Sequence, residues 1–477
     1  MTRTFLNLFD AAWFYIEKRD APSHFGPLLI LSPPEGAAGT YVGDLVTRWR
    51  SDRTFAPPFN LVLRKTPLPG WHTVPNADID LDHHLRHIAL PAPGGERELE
   101  TLVSHLHSLP LDRRRPLWEC HVIEGLEHGR FAIYLKLHHG QLDGVGAARL
   151  LGRILSPDPA ARGMLPPWSA GIRGNGAAPE LRVISGRGAR HPALRIVGTL
   201  CRAVGSGALA VSALIRMFIA IHRDHTGALA GPFQSPDTVF NRRVGSKRTF
   251  VTRHYELARL KRIATAADVT VNDVFLTVFG GALRRYLLER GKLPAKSVVG
   301  QLPVNLRDAS QAPVGNALAF LFARLHTEIG DPLARLRAVH RSTTAAKRMQ
   351  RSLPAHVVAP FTILLTGPQI GLFILGLSGR VRPSANLIVS NVPGPTQPLY
   401  YDGAPVEQIY GPSVLFHGQA LNVTMSSYAQ QVDISFTACS RSVPNVADLA
   451  AYTDVELEEI ERVLGVPTAV AGQQTSA

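Results

Sequence analysis

The chain has 477 residues, 45% of them hydrophobic, which is enough apolar material for two packed domains and excludes global disorder. Three cysteines, Cys120, Cys201 and Cys439, are too few and too scattered for a disulfide framework or a zinc cluster. The formal charge of +14 favours anionic partners such as phospholipid headgroups and phosphate-bearing small molecules; nucleic acid is not expected, because no basic run is interleaved with stacking aromatics and aromatics are only 7% of the chain.

Met1 to Asp20 carries Asp10, Glu17 and Asp20 among apolar residues and lacks a signal-peptide core and a small-residue cleavage site, so a reducing cytoplasm is the expected compartment. Phe131 to Leu137 is an apolar, β-prone run, and Val145 to Leu151 resumes with aliphatic residues at helical spacing. His138 and His139 therefore fall at a strand-to-helix junction. Ser156 to Ala193, rich in Pro, Gly, Ala and Arg, reads as a crossover between domains. Ile196 to Ile221 reads as an apolar helix whose Arg202, Gly205, Gly207 and Arg216 argue against a bilayer span and for packing or interfacial docking.

Farther on, helices are expected at Val274–Leu288 and Leu333–Met349, and strands at Val298–Leu302, Asn386–Val389, Ala420–Met425 and Val432–Thr437. Val357 to Gly379 has no charged residue, and Pro360, Pro368 and Gly371 are expected to divide it into a buried helical hairpin, a membrane-contacting surface being the alternative. The fold class is thus α/β with mixed sheets. It is organised as an N-terminal domain over residues 1–160, a crossover with the apolar helix over 161–240, and a C-terminal domain over 241–470.

The segment His138-His139-Gly140-Gln141-Leu142-Asp143-Gly144 holds a complete proton-transfer device. A neutral imidazole takes a proton from an alcohol as its oxygen attacks a thioester and returns that proton to the departing thiolate. Asp143 reads as a brace, and Gly144 as relief where the backbone needs an unusual turn. A metal site drawn from His138, His139 and Asp143, with His83, His84 and His87 as further ligands, matches no complete known spacing, so no metal is expected.

This segment matches the HHxxxDG motif of the chloramphenicol acetyltransferase-like superfamily. Its flanks, Pro116-Leu117-Trp118-Glu119 and His121-Val122-Ile123-Glu124-Gly125-Leu126, resemble the PLWE and HVIEGL stretch of bacterial wax ester synthase/diacylglycerol acyltransferases. Leu81 to His87 is similar to a stretch that this family carries upstream. Val271-Asn272-Asp273-Val274 resembles its ND motif, Val314-Gly315-Asn316 its GN motif, Ser390 to Pro395 its NVPGP segment, and Leu421 to Tyr428 its last core strands. The resemblance covers nearly the whole chain. It implies two chloramphenicol acetyltransferase-like domains with a substrate tunnel along their interface, the HHxxxDG loop at its middle, and donor and acceptor entering from opposite sides.

Carried onto this sequence, the resemblance makes His139 the general base, His138 its support, and Asp143 a brace that turns from substrate to pair with an arginine. Arg307, following Pro303-Val304-Asn305-Leu306, is the candidate partner, a solvated surface arginine being the other reading. Asn272 is a candidate oxyanion donor, although Thr270 or Asn272 capping the helix near Asp273 is the simpler reading. Gly144 and Trp118 are candidates for substrate contact. The implied activity is acyl-CoA-dependent O-acyl transfer to diacylglycerol or a long-chain alcohol, giving triacylglycerol or wax ester. Acyl-CoA is a co-substrate, with no metal or redox cofactor and no obligate protein partner. No Ser or Cys stands in a covalent-catalysis motif, so direct attack is expected. The expected location is cytoplasmic, peripherally attached to membrane or lipid droplets. A carrier-protein-dependent condensation or polyketide-associated acyltransferase and a noncatalytic lipid-binding protein are the alternatives.

Overall fold

A computed structural model describes residues 3–5, 8–64, 70–171, 192–305 and 318–467. The first half of the chain contributes α1 (Leu8–Ile16), β1 (His24–Phe25), β2 (Leu28–Leu31), β3 (Leu85–Ala89), α2 (Glu96–Ser108), β4 (Trp118–Glu124), β5 (Phe131–His138), α3 (Gly144–Ile154) and α4 (Pro192–Arg223). The second contributes β6 (Arg248–Glu256), α5 (Val271–Glu289), β7 (Val299–Asn305), β8 (Leu318–Arg324), α6 (Pro332–Arg351), α7 (Ala355–Ile374), β9 (Leu387–Pro393), β10 (Tyr400–Tyr401), β11 (Ala404–Tyr410), β12 (Leu421–Tyr428), β13 (Gln431–Cys439) and α8 (Val446–Leu464). Each strand and helix anticipated from periodicity has its counterpart among these.

Two mixed sheets organise the molecule. The N-terminal sheet runs β10-β11-β2-β5-β4-β3, with β1 also paired to β5 and only β3–β4 parallel. The C-terminal sheet runs β8-β7-β9-β12-β13-β6, with β7–β9 and β9–β12 parallel. Residues 400–410, expected in the C-terminal domain, instead complete the N-terminal sheet: Gln408, Ile409 and Tyr410 of β11 face Ile30, Leu29 and Leu28 of β2. Strand periodicity reveals which face is apolar but not which neighbour the edge will find, so a linear division of the chain misses this interlock.

Strand β5 is buried along its whole length, which explains its continuous apolar run. Phe131, Ile133, Leu135 and Leu137 join the core on one side. Ala132 and Tyr134 face Leu99, Val103 and Leu106 of α2 on the other. Lys136 shares this second face, where its ammonium donates to the carbonyls of Leu106 (3.0 Å) and Leu109 (2.5 Å) and lies 3.4 Å from Glu119. Burial opposes charge on Glu119, but His121 and Lys136 outweigh it and bring its pKa down to about 2.

Helix α7 corrects the expected hairpin. It is one continuous helix with Pro360 and Pro368 inside it. Val357, Phe361 and Leu365, four residues apart, pack with Met217 and Ile221 of α4 against Val299 and Phe322 of the C-terminal sheet. That continuous contact holds the helix together despite the N–H groups that proline lacks. The opposite faces of the pair are open: Ile215, Phe218 and Ile219 of α4, and Ile363, Leu364, Ile374 and Leu375 along α7 and its end, are exposed. By length and composition alone, residues 206–223 and 356–374 are each long and apolar enough to cross a membrane.

Candidate active site

The change from strand to helix at β5–α3 presents the two histidines. His138 ends β5, and Gly140 donates its main-chain N–H to His138 Nδ1 at 3.0 Å. That nitrogen therefore carries no proton, and the ring's Nε2–H points to Glu17 Oε2 at 3.4 Å. Glu17 also accepts from the main-chain N–H of Ser23 (3.0 Å) and from Arg113 Nε (2.6 Å). Burial works against its charge, yet His138, Ser23 and Arg113 lower its pKa to about 2. Helix α1 closes on the loop from above, with Phe14 stacked on His138 at 4.4 Å. Glycine is required at 140 because a Cβ there would lie 2.6 Å from the Phe14 ring and 3.1 Å from the Asp10 carbonyl.

His139 opens the turn that follows β5. Its main-chain N–H donates to the Ser23 carbonyl (2.8 Å), its ring stacks on Trp13 at 3.8 Å, and Phe25 lies at 4.9 Å. Burial lowers its pKa from 6.5 to about 4, Asp143 and its own main-chain carbonyl opposing the drop and His138 adding to it. The ring is therefore neutral at pH 7, the state that a proton acceptor needs.

His139 lines a cavity of about 210 Å³ between the two sheets. Trp13 and Ile16 of α1, Ile370 and Phe373 of α7, Phe416 and Val414 supply its apolar wall. The cavity also carries polar groups, among them Gln301 of β7, Gln369 of α7, Gln419 and Asn422. An apolar cavity with a few convergent polar groups and a neutral imidazole suits a long hydrocarbon substrate with one reactive polar end.

The remaining sequence candidates distribute as follows. Asp143 is the N-cap of α3, its carboxylate accepting from the Gly146 N–H at 2.7 Å. Among the described residues it makes no ion pair, and Arg307, like Gly315 and Asn316, lies outside them. Gly144 is the first residue of α3 with no positive φ, so no unusual turn exists there, and it is not in the cavity wall.

Trp118 does not line the cavity either. It is fully buried, stacks on His84 at 4.3 Å and donates to the Phe59 carbonyl at 2.9 Å, within the core behind β5. An apolar ring in a motif signals packing as readily as binding, and here packing wins. Asn272 is likewise not in the cavity wall. Its side-chain oxygen accepts from Asn391 at 3.2 Å, while Thr270 and Asp273 form the capping box that starts α5. Gly394 of the NVPGP segment lets its backbone pass close to Ser427, whose carbonyl a Cβ would strike. Among the described residues no group of three His, Cys, Asp or Glu side chains is placed to hold a metal ion. His84 bonds the Trp118 carbonyl at 2.7 Å, and His87 lies 3.4 Å from Glu124.

Sequence reading missed Trp13, Glu17 and Arg113, which clasp the histidines, and the cavity glutamines. Glu17 among apolar residues was an available signal, because a carboxylate buried at the end of a packed helix needs a partner.

Comparison with known proteins matches residues 6–275 to the wax ester synthase/diacylglycerol acyltransferase catalytic domain and residues 314–461 to the WS/DGAT C-terminal domain. O-acyltransferase WSD of Acinetobacter baylyi is 35% identical over 467 residues, covering 96% of this chain and 97% of that protein. The probable diacylglycerol O-acyltransferase tgs2 of Mycobacterium tuberculosis is 35% identical over 465 residues, covering 96% and 98%. The solved wax ester synthase/diacylglycerol acyltransferase of Marinobacter aquaeolei superposes with a TM-score of 0.75 at 31% identity, covering 97% of this chain and all of that one. The first condensation domain of the CDA synthetase shares the fold at a TM-score of 0.57 and 17% identity, covering 98% and 97%.

Proposed function

The chain belongs to the wax ester synthase/diacylglycerol acyltransferase family, and from that premise we propose that it transfers a long-chain acyl group from acyl-CoA to the hydroxyl of diacylglycerol or a long-chain alcohol. The products are triacylglycerol or wax ester and free CoA. The observation that carries this reading is the neutral imidazole of His139, stacked on Trp13 in the wall of a largely apolar cavity.

His139 accepts the proton of the acceptor hydroxyl as the oxygen bonds to the thioester carbonyl carbon. The tetrahedral intermediate then expels the CoA thiolate, which takes the proton back from the imidazolium. One ester bond forms, one thioester bond breaks, and the base is regenerated. The sequence needs neither a metal nor a redox cofactor, and no acyl-enzyme forms. His138 and Asp143 act by fixing the loop, one through Glu17 and the Gly140 N–H and the other as the α3 cap.

Peripheral attachment to a membrane or lipid-droplet surface belongs to the same proposal. The exposed apolar faces of α4 and α7, together with the positive net charge, suit an interface where the acceptor dissolves. Their inner faces are held by the C-terminal sheet, which favours lying on the bilayer over crossing it.

The test is CoA release and lipid product from palmitoyl-CoA with hexadecanol or diolein, comparing wild type with folded His139→Ala. Product from wild type alone is expected; equal activity in both would remove His139 as the base.

A further inference from the structure

Three carboxamides from separate elements form one run on the cavity wall. Gln369 Nε2 donates to Gln419 Oε1 at 3.2 Å, and Gln419 Nε2 donates to Gln301 Oε1 at 2.9 Å. Gln301 and Gln419 are 4% and 2% exposed, so they were taken from water to build this run. Two internal bonds among three carboxamides leave a spare N–H group at one end and a spare carbonyl at the other, whichever direction the run takes. Among the described residues, no other bond uses the amide nitrogen of Gln301 or the oxygen of Gln369.

A second, independent group stands beside it. Asn422, 2% exposed and in the same wall, spends its amide on Ser413 Oγ (3.2 Å) and the Val414 carbonyl (3.0 Å), while its Oδ1 is buried with no partner. Native interiors rarely leave such acceptors unmet without a functional reason. A cavity serving only hydrocarbon would gain nothing from these groups, and Leu at the same positions would fill it without the cost of desolvating amides.

The geometry points to a glyceride-selective acceptor site, in which the Gln301–Gln419–Gln369 run and Asn422 bind the oxygens that flank the reacting hydroxyl. This inference rests on the acyltransferase reading above and narrows its acceptor to partial glycerides. A long-chain alcohol brings a single oxygen, and that one is engaged by His139. Diacylglycerol adds ester carbonyls that accept from the free amide end of the run. Monoacylglycerol adds a second hydroxyl that donates to Asn422 Oδ1. A buried polar site rejects an analogue lacking the matching group because its own atoms are then left unpaired in the complex.

The experiment compares kcat/KM for diolein, monoolein and hexadecanol, with palmitoyl-CoA as donor, in wild type, Gln301→Leu and Gln369→Leu. The glycerides are expected to exceed hexadecanol roughly tenfold or more in wild type, and that ratio is expected to fall toward unity in either variant through loss of glyceride kcat/KM. Gln369 is half-buried on α7, so its variant breaks the run from the accessible end should Gln301→Leu fail to fold. Equal kcat/KM for all three acceptors in wild type, or an unchanged ratio in folded variants, overturns the glyceride site and leaves the acyltransferase reading standing. No CoA release with any acceptor overturns both.

Discussion

Glu17 Oε2 stands 3.4 Å from Nε2 of His138, across 121 residues of sequence, and ties helix α1 to the end of β5. The contact fixes the His138 tautomer, because the Gly140 N–H already occupies Nδ1. His138 in turn sets the turn that carries His139. Glu17 is therefore a positioning residue. Glu17→Ala is expected to lower kcat about 10- to 100-fold, the range for outer-sphere partners of functional groups, with little change in KM. Glu17→Gln, which retains an oxygen for Nε2–H, is expected to recover part of that loss. A parallel fall in kcat and melting temperature, unrelieved by glutamine, would assign Glu17 to general stability instead.

Trp13 covers one face of His139 and excludes water from it. Because burial is the leading cause of the low His139 pKa, the acid limb of kcat/KM is expected near pH 4, well below the usual 6.5 for histidine. Trp13→Ala admits water and is expected to move that limb upward. Steady-state rates across pH 4 to 8, after brief exposure to each buffer, provide the comparison. A wild-type limb at 6.5 would mean that the imidazole is solvated in the working enzyme.

Buried neutral histidines also set acid stability. Burial brings His84 to about 4 and His107 to about 3, against a carbonyl bond to each that pulls the other way. Below pH 6.5 the unfolded chain binds protons that these folded histidines refuse. Their contribution is thus whole above 6.5 and declines as pH falls toward 4 and below. At pH 5 each accounts for about 2 kcal/mol of lost stability relative to pH 7. Urea unfolding at the two values tests it, and an unchanged midpoint would show that both rings gain water or protons without unfolding.

The strand-to-helix junction was legible because hydrophobic periodicity changes across residues 131–151, and β5 ends and α3 begins within it. Asp143, expected as a brace paired with an arginine, caps α3 and makes no ion pair among the described residues. The clasp by Trp13, Phe14 and Glu17 was not legible, since local pattern carries no information on contacts more than 100 residues apart. The same limit hid the pairing of β11 with β2 and the glutamine run, whose members come from β7, α7 and the segment before β12. Proline content misled at α7, where tertiary packing overrides a local breaker.

The Asp143 cap separates two roles of that carboxylate. Asp143→Asn keeps an oxygen for the Gly146 N–H and removes the charge, whereas Asp143→Ala removes both. If capping dominates, Asn is expected to retain stability and most activity, while Ala loses about 1 kcal/mol and disorders the loop. Equal loss of kcat in both variants, with Asn fully stable, would instead show that the negative charge near His139 is needed.

The exposed face of α4 and α7 yields the last expectation. Phe218, Ile219 and Ile215 on α4 and Leu375 at the end of α7 are 43%, 44%, 54% and 72% exposed, an arrangement that costs solubility unless a lipid surface covers it. Arg216 and Arg223 on α4 and Arg380 just beyond α7 offer cations to anionic headgroups at the same surface. Sedimentation with vesicles of phosphatidylcholine and phosphatidylglycerol is expected to carry the protein down, and Phe218→Ser with Leu375→Ser to weaken binding about 10-fold or more, given about 1.5–3 kcal/mol for each large apolar side chain buried. None of these residues lines the cavity, so turnover of detergent-dispersed diolein is expected to persist in the double variant. Undiminished vesicle binding in that variant would place the lipid contact elsewhere.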